Sequence, residues 1–382
     1  MNSPTKIRIG ITGQPGFVGT HLYNELGLYP DKYVRVPFED RYFTSSELLS
    51  LFVKQCDVIV HLAAVNRHKD NNELYRINIE LVQTLIDTLI TENVKPHIIF
   101  SSSTQEALEN PYGKSKLEGR RLFEKWAQEN NASFTGLVIP NVFGPFGLPN
   151  YNSFIATFCY KLTHDEVPEV LSDNEVSLIY VSSLCKHILS DIDKKSNLSQ
   201  PLINEEYVEP DFNKKVSDVL NLLKNFSKLY YLQGIIPIIK DINETNLFNT
   251  FRSYINLDKR FPVKLKQNTD ERGTFIETIR LGVGGQVSFS TTKPCITRGN
   301  HYHTRKIERF TVIKGQAKIQ LRKIGTNKIH EFYLDGKDPS YVDMPIWYTH
   351  NITNTGSDDL YTQFWINEWY DEKNPDTFFE KV

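Results

Sequence analysis

In residues 7–19, Ile7-Arg-Ile-Gly-Ile-Thr12 leads into Gly13-Gln-Pro-Gly16-Phe17-Val18-Gly19, and a helical apolar pattern continues to Leu26. This order predicts a buried strand, a tight glycine turn and a helix. Glycines let backbone N–H groups approach a pyrophosphate, which the positive end of the following helix attracts. A GxxGxxG pattern alone is weak evidence, but here it occupies the first strand–helix turn. We therefore expect Gly13, Gly16, Phe17, Val18 and Gly19 to bind a dinucleotide.

The rest of the chain divides into two patterns. Apolar runs at 57–62, 97–100 and 136–139 alternate with helical periodicity, which predicts an α/β Rossmann-like doubly wound parallel sheet. From about Val263, short alternating segments bounded by turn residues predict an all-β sandwich or barrel. Residues 228–260 show no clear pattern. We place the domains at 1–257 and 262–382.

Composition excludes several classes of protein. A formal net charge of −2 over 382 residues argues against a general nucleic-acid binder. No apolar run approaches the roughly 18 residues that a membrane helix needs, and the N-terminus lacks the apolar core of a signal peptide. The four cysteines include no CxxC pair, which favours free thiols in a reducing compartment. We expect a cytoplasmic protein without nucleic-acid or membrane partners.

A tyrosine and a lysine occupy one face of a predicted helix. In Asn110-Pro-Tyr112-Gly-Lys-Ser-Lys116, Asn110 suits the N-cap and proline the first helical position. Tyr112 and Lys116 are four residues apart, so their side chains are neighbours. A neighbouring ammonium, helped by the charge of a bound cofactor, lowers the pKa of a phenol, which can then exchange a proton with an alkoxide. Most YxxxK pairs are surface residues, but Ser101-Ser102-Ser103 ends the preceding strand and favours catalysis.

Residues 6–230 resemble the extended short-chain dehydrogenase/reductase family, whose members act largely on nucleotide sugars. Besides the glycine turn and the Tyr/Lys pair, the matching features are His61-Leu-Ala-Ala64, Asn78 and Pro140-Asn-Val-Phe-Gly144. The resemblance implies that Tyr112 and Lys116 are catalytic and that Ser103 or Ser102 binds the substrate carbonyl. Eight residues separate Ser103 from Tyr112, fewer than is usual in the family, so both serines stay open. It also implies cofactor contacts from Leu62, Ala63, Ala64, Lys116 and Asn141.

The cofactor's ribose would lie after the second strand, at Phe38-Glu39-Asp40-Arg41. An acidic residue here binds the ribose hydroxyls of NAD, whereas an arginine holds the 2′-phosphate of NADP. The segment contains both residue types, so it does not decide between NADPH and NADH. Arg41 is the candidate ligand of a 2′-phosphate.

The C-terminal half carries a histidine pattern typical of a metal site. His301 and His303 point to one face of a strand, and Glu308 and His350 can complete an N/O ligand set for zinc or another divalent ion. The pattern resembles the two motifs of the cupin barrel, except that Trp347 replaces a glycine, so we expect that turn to differ. Asp270–Glu277 resembles the strand leading into cupin-fold deoxysugar epimerases; a charged hairpin is the alternative.

The whole chain resembles a family of bifunctional capsule and O-antigen enzymes, in which a reductase precedes a cupin. Asn66-Arg67, Tyr151–Tyr160 and Asn374-Pro-Asp-Thr-Phe378 match it. The resemblance implies that the cupin epimerises C3 of a UDP-linked 4-keto-6-deoxy amino sugar and that the first domain reduces C4 with NADPH. The product would be UDP-2-acetamido-2,6-dideoxy-L-talose, in the UDP-N-acetyl-L-fucosamine pathway. It also implies zinc and a homodimer.

Chemistry links the two reactions, because a C4 ketone acidifies the C3 proton and also accepts a hydride. Two other functions stay open. The first is an NAD-dependent sugar-nucleotide 4-epimerase or dehydratase with a non-catalytic cupin, which tightly retained NAD⁺ would indicate. The second is an inactive sugar-binding regulator, against which the intact Tyr112/Lys116 pair argues.

Overall fold

The computed structural model describes residues 6–195, 200–270, 273–276, 278–281, 285–368 and 371–382. Within them the α-helices are α1 (Phe17–Gly27), α2 (Ser46–Gln55), α3 (Asn71–Thr91), α4 (Pro111–Asn130), α5 (Phe154–Thr163), α6 (Val181–Lys195), α7 (Val216–Phe226), α8 (Ile242–Arg252) and α9 (Leu257–Arg260). Short 3₁₀ helices span Asp40–Thr44 and Thr104–Ala107, and a π-helix spans Ser227–Leu232.

The strands fall into two series. Those of the first half are β1 (Ile7–Thr12), β2 (Tyr33–Val36), β3 (Val58–His61), β4 (His97–Ser103), β5 (Phe134–Ile139), β6 (Asn141–Phe143), β7 (Glu175–Tyr180), β8 (Ile203–Tyr207) and β9 (Phe212–Lys215). Those of the second are β10 (Ile235–Ile236), β11 (Val263–Lys264), β12 (Gln267–Asp270), β13 (Gly273–Ile276), β14 (Arg280–Leu281), β15 (Gln286–Thr292), β16 (Thr297–Tyr302), β17 (Glu308–Lys314), β18 (Gln316–Lys323), β19 (Ile329–Asp335), β20 (Ser340–Met344), β21 (Tyr348–Asn354), β22 (Leu360–Ile366) and β23 (Phe378–Phe379).

The chain forms two compact units. The first runs to Phe154 and resumes at Asp173–Val216, and the second comprises Ile155–Ser172 and Ser217–Val382. The helices that precede the predicted join at 257–262 therefore cluster with the barrel. The domain boundaries at 257 and 262 stay a prediction.

The first unit contains the predicted doubly wound sheet. Its strand order is β2-β1-β3-β4-β5-β8, with every pairing parallel. One hydrophobic core includes residues of α1 and α6, and another includes residues of α2, α3 and α4, so apolar cores cover both faces of the sheet. The order reverses between β1 and β3, and ligands of such sheets bind at the carboxyl ends of the strands flanking this reversal. Strands β6, β7 and β9 form a smaller sheet.

The second unit contains the predicted all-β domain, and its architecture is consistent with a cupin barrel. Two five-stranded sheets, β11-β20-β17-β22-β15 and β19-β18-β21-β16-β23, enclose one apolar core. The pairings within both sheets are antiparallel. Of the Asp270–Glu277 stretch, Glu271, Arg272 and Glu277 lie outside the described residues, and the backbones of β12 and β13 pair as a hairpin.

A buried polar cluster joins the outer face of β17 and β20 to the helices before the barrel. Arg309 Nε donates to Asp343 Oδ1 at 2.8 Å, and the Tyr230 hydroxyl donates to Asp343 Oδ2. Arg252 Nε donates to the Tyr230 hydroxyl at 3.1 Å and Arg252 Nη2 to the Met344 carbonyl at 3.1 Å. Both faces of β17 are therefore buried, which explains why the segment 217–260 clusters with the barrel.

The turn before His350 keeps a left-handed backbone despite its tryptophan. Trp347 has a φ of +60° and is buried. Its N–H donates to the His303 carbonyl at 2.8 Å, and its ring stacks on Tyr302 with centroids 5.5 Å apart. Packing and hydrogen bonding thus offset the strain of a bulky residue in this region. The turn thus has a left-handed backbone at the position where the cupin motif has glycine.

Candidate functional site

The glycine turn after β1 is too tight for side chains. Gly13 has a φ of +71°, and a Cβ there would lie 2.8 Å from the Ala63 backbone. A Cβ on Gly19 would lie 2.4 Å from the Gly13 carbonyl oxygen. Gly16 is the N-cap of α1 and brings no side chain to the first N–H groups, and the first turn carries no acidic residue. These features fit the pyrophosphate of a dinucleotide.

Parallel pairing places the second predicted cofactor segment beside this turn. Thr12 and His61 are partners in the β1–β3 ladder, so Leu62, Ala63 and Ala64 leave the sheet next to Gly13. Phe17, Val18 and Leu62 are partly buried against the core of the first unit. The sequence prediction for this half of the cofactor site is consistent with the geometry.

The predicted ribose-binding residues lie on the surface after β2. Arg41 Nε lies 2.8 Å from Glu39 Oε2, with the side chains 67% and 57% exposed. Exposed ion pairs contribute only about 0–1 kcal/mol, so a ligand phosphate can compete for Arg41. The carboxylate of Glu39 can equally accept from ribose hydroxyls. The geometry therefore leaves both cofactors possible, as the sequence did.

The Tyr/Lys pair lies at the start of α4, where the sequence places it. Asn110 caps the helix by accepting from the Gly113 N–H at 2.7 Å, and Pro111 is the first helical residue. Lys116 Nζ lies 5.7 Å from the centroid of the Tyr112 ring. Its ammonium donates to the Ser101 carbonyl at 2.8 Å, and burial lowers the pKa of Lys116 to about 8. Lys116 is thus cationic at neutral pH.

The surroundings of Tyr112 in the protein itself raise its pKa. Burial, with a smaller contribution from Tyr151, raises the pKa of Tyr112 above its ordinary value. The Lys116 ammonium is directed at Ser101 rather than at the phenol. The consequence is a protonated phenol at neutral pH, the form that donates a proton. That this ammonium and the charge of a bound cofactor together lower the pKa of Tyr112 stays a prediction.

The two candidate serines occupy different environments. Ser102 is buried and donates its hydroxyl to Glu106, which also pairs with Arg120 at 2.8 Å. Ser103 Oγ accepts from the Gln105 N–H at 3.2 Å, a bond that leaves the hydroxyl proton available for another acceptor. This geometry favours Ser103 as the hydroxyl that meets a substrate carbonyl.

A polar network that the sequence did not predict holds the first turn of α4, which carries Tyr112, against α3 and Val65. Asn78 accepts from the Val65 N–H at 2.7 Å and donates to the Val65 carbonyl and to Ser115 Oγ, both at 3.0 Å. Ser115 in turn donates to the Tyr112 carbonyl at 2.8 Å. The sequence had marked Asn78 only by resemblance.

Asn141, a predicted cofactor contact, is exposed and donates to the Ser177 carbonyl at 3.4 Å.

In the second unit, all four predicted metal ligands converge. One possible ligand atom from each of His301, His303, Glu308 and His350 lies within 4.8 Å of the others. The β16–β21 ladder pairs His301 directly with His350. His303 Nε2 and His350 Nε2 each lie 3.1 Å from Glu308 Oε2. These three buried atoms have no hydrogen-bonding partner among the described residues, which fits a bound divalent cation.

Hydrogen bonds at Nδ1 orient two of the histidine ligands. His303 Nδ1 lies 2.5 Å from the Asp376 carbonyl oxygen, and His350 Nδ1 lies 3.3 Å from that of Tyr348. Such bonds place the ring proton on Nδ1 and leave the Nε2 lone pair for a metal. Burial alone would raise the pKa of Glu308, but His303 and His350 hold it well below its usual range. Burial lowers the pKa of His301 to about 4, so its neutral, ligating form prevails.

Comparison with known proteins finds a matching family for each half of the chain. The sequence profile of the NAD dependent epimerase/dehydratase family matches residues 9–204, and that of the polysaccharide biosynthesis C-terminal domain matches residues 268–378. The chain is 31% identical to UDP-2-acetamido-2,6-beta-L-arabino-hexul-4-ose reductase of Pseudomonas aeruginosa, over 97% of this chain and 98% of the relative. The chain belongs to the NAD dependent epimerase/dehydratase family.

Solved structures agree with this membership. The crystal structure of the capsular polysaccharide assembling protein CapF from Staphylococcus aureus is 35% identical, with a TM-score of 0.61, covering 98% of this chain and 100% of that one. The predicted relation to capsule enzymes with a reductase–cupin order is thereby confirmed. The structure of RMD from Pseudomonas aeruginosa complexed with NADPH is 18% identical, with a TM-score of 0.55, and covers 65% of this chain and 99% of that one. That likeness shows the fold alone.

Membership in the epimerase/dehydratase family makes the chain a nicotinamide-dependent enzyme of the sugar-nucleotide reductase and epimerase class, as the sequence predicted. In the described part of the chain, no helix combines the length and apolarity needed to span a membrane.

Proposed function

We propose that this enzyme epimerises C3 and then reduces the C4 ketone of a UDP-linked 2-acetamido-2,6-dideoxy-hexulose. The product is UDP-2-acetamido-2,6-dideoxy-L-talose, a precursor of UDP-N-acetyl-L-fucosamine. One observation carries the proposal: a Tyr/Lys pair in a nucleotide-binding unit and a buried three-histidine, one-glutamate cluster in a barrel occur in one chain. The Pseudomonas aeruginosa relative, named as a reductase of a 4-ulose, supports the ketone as the common centre.

In the reduction, Tyr112 donates its phenolic proton to the oxygen on C4. NADPH, when bound, supplies the hydride that adds to that carbon. Ser103 donates a hydrogen bond to the same oxygen, which favours the negative charge that develops there. Lys116 stabilises the phenolate left behind once its ammonium turns from the Ser101 carbonyl towards Tyr112. The raised pKa of Tyr112 keeps the proton in place until the alkoxide forms.

In the epimerisation, the barrel positions the sugar for removal and return of the proton on C3. His301, His303, Glu308 and His350 would hold a zinc ion, whose positive charge stabilises an enolate oxygen when bound. The carboxylate of Glu308 and the neutral ring of His301 are the protonation states that such binding requires. The proposal includes a homodimer and a cytoplasmic location, which the resemblance and the composition respectively imply.

Mass spectrometry of products tests the sequence of steps. The full-length enzyme is incubated in D₂O with a UDP-linked 4-keto sugar and NADPH. We expect net NADPH consumption and deuterium at C3 of the product. Tyr112→Phe should still exchange deuterium into C3 but stall at the epimerised ketone, because proton exchange uses the barrel alone. Loss of exchange in Tyr112→Phe would assign epimerisation to the first unit.

Two outcomes would favour the other functions. Tightly retained NAD⁺ without net NADPH consumption indicates a 4-epimerase or dehydratase whose barrel is not catalytic. Sugar binding without any turnover indicates a regulator.

A further inference from the structure

A short loop joins two of the predicted metal ligands, and one aspartate from the C-terminal tail holds it. The loop comprises residues 304–307, between His303 and Glu308, and is called the ligand loop below. Asp376 is buried, with a side chain 1% exposed. Its carboxylate accepts from the N–H groups of Thr304 at 3.1 Å, Arg305 at 2.9 Å and Lys306 at 3.0 Å. It also accepts from the Thr304 hydroxyl at 2.6 Å.

The remaining N–H of the ligand loop has a similar partner. Ile307 donates to Asn367 Oδ1 at 2.9 Å, and the Asn367 N–H returns a bond to the Ile307 carbonyl at 3.2 Å. All four N–H groups of the loop therefore bind a side-chain oxygen from Asp376 or Asn367. A carboxylate buried this deeply is stabilised by several N–H donors, and it fixes the backbone that supplies them.

The backbone of Asp376 contacts a ligand directly. Its carbonyl oxygen lies 2.5 Å from His303 Nδ1, the bond that turns the Nε2 lone pair towards Glu308. The residues that follow Asp376 run alongside β16, the strand that carries His301, because β23 pairs Phe379 with His301 and Phe378 with Tyr302. Asp376 itself has a φ of +43°, a left-handed conformation that non-glycine residues adopt rarely. Asp376 thus directs its carboxylate at the ligand loop and its carbonyl at His303.

We propose that Asp376 is a positioning residue of the metal site. Its carboxylate fixes the spacing of His303 and Glu308 through the ligand loop, and its carbonyl fixes the orientation of the His303 ring. The inference rests on the metal site of the proposed function, but not on the reaction assigned to it. Outer partners of metal-bound histidines typically change metal affinity by about 10–100-fold when removed.

Zinc affinity of the full-length chain, measured by competition with a chromophoric chelator, tests the proposal. Asp376→Ala should bind zinc at least about tenfold more weakly than the wild type. Asp371→Ala is the matched control: Asp371 also accepts from a tail N–H, that of Lys373 at 2.9 Å, but it is exposed. Its zinc affinity should stay within about twofold of the wild type. The Co²⁺-loaded forms should differ in visible absorption only for Asp376→Ala, because a tilted His303 changes the ligand field.

Two milder variants keep the test decisive if Asp376→Ala fails to fold. Asp376→Asn keeps one acceptor oxygen, and Thr304→Val removes a single bond; circular dichroism checks that each retains its structure. Weaker zinc binding in both, with unchanged circular dichroism, supports the proposal. Affinities equal to the wild type in both overturn it. A wild type that binds zinc without exchanging the C3 proton overturns the proposed epimerisation but not the role of Asp376, since affinity is the readout.

Discussion

Tyr112 and Lys116 lie one helical turn apart on α4, whereas the four predicted metal ligands come from the β16, β17 and β21 regions of the barrel. The first site needs one correctly capped helix, the end of β4 and the hydrogen bonds of Asn78 on α3. The second needs the barrel ladders, the ligand loop and the tail that binds it. A change on another strand or in the tail can therefore disturb the barrel site, while the Tyr/Lys pair depends mainly on α4 and the elements packed against it.

The largest expected effect is loss of metal from the barrel. His301→Ala/His350→Ala should reduce bound zinc from about one ion per chain to none, because metal binding of this kind contributes about 10 kcal/mol. The barrel should also unfold at lower temperature, while reduction of a ketone already inverted at C3 continues. Elemental analysis with differential scanning calorimetry measures both.

His330→Ala is the control, since His330 is a barrel histidine that pairs with Asp258 at 2.5 Å and not with the cluster. It should retain the metal. Wild-type stoichiometry in the double variant would exclude this metal site.

The second effect concerns the site on α4. Tyr112→Phe should lower the rate of reduction by about 10²–10⁴-fold, because the phenol supplies a proton, while cofactor binding is nearly unchanged. Lys116→Ala should weaken both. Stopped-flow fluorescence of NADPH separates binding from turnover. Tyr75→Phe, at an exposed tyrosine on α3, should have no effect. A Tyr112→Phe rate above about a tenth of the wild type would contradict the acid role.

Truncated fragments test whether the barrel is fully stable from the predicted boundary at 262 or needs the helices that precede it. A fragment from Ser217 keeps Tyr230 and Arg252 against Asp343, whereas a fragment from Pro262 loses both. We expect the shorter fragment to be less stable by about 3–5 kcal/mol, since disrupting a buried charged network costs this much. Urea unfolding followed by circular dichroism measures the difference. Equal midpoints would instead place the folding boundary at 257–262.

A pH-dependent effect on stability is expected from one buried histidine of the first unit. His61 is fully buried, and burial lowers its pKa from 6.5 to about 3, with a smaller contribution from Lys116. Between these values the unfolded chain binds a proton that the folded chain does not. The stability that the neutral ring contributes is therefore complete above pH 6.5 and decreases as the pH falls. The loss from pH 7 to pH 5 should be about 2 kcal/mol.

His61→Asn should remove this part of the pH dependence, and His68→Asn, at an exposed histidine of the same unit, should not. Urea unfolding at pH 5, 6 and 7 compares the two variants with the wild type. If the free energy of unfolding falls equally with pH in the wild type and in His61→Asn, the buried ring does not titrate in this way.

The smallest effect concerns the cofactor. Arg41→Ala should raise the KM for NADPH by about tenfold, because a charge-assisted bond to the 2′-phosphate is lost, and leave the KM for NADH unchanged. Arg35→Ala is the control, since that guanidinium lies 4.4 Å from the centroid of the Tyr23 ring. If Arg41→Ala changes neither KM, this arginine does not contact the phosphate.

Local features were predictable from the sequence, and features that depend on tertiary packing were not. The Asn110 cap, the Tyr112–Lys116 spacing and the ligand types His301, His303, Glu308 and His350 follow from short-range patterns. The effect of burial on the pKa of Tyr112 did not, because tertiary packing decides how far the phenol is buried. Ser102 and Ser103 could not be separated, because Glu106 and Arg120 reach Ser102 only in the folded chain.

The same limit explains two features of the second unit. The segment 228–260 carries no legible motif, and its association with β17 depends on a charge cluster spread over more than 100 positions. The segment Asn374–Phe378 was recognised by resemblance, without a role. Its contact with His303 bridges 73 positions, which no local pattern encodes.

The position of Asp376 also sets an order of events during protein synthesis. Asp376 is added 70 residues after Lys306, a delay of roughly 4–14 s at ordinary translation rates. Once His350 has been added, the nascent chain has all four predicted ligands but still lacks the carboxylate that holds the ligand loop. A chain released by a premature stop before Asp376 would therefore carry every metal ligand and still lack the ordered site. The ligand loop can therefore be fixed only after the segment that contains Asp376 has been synthesised.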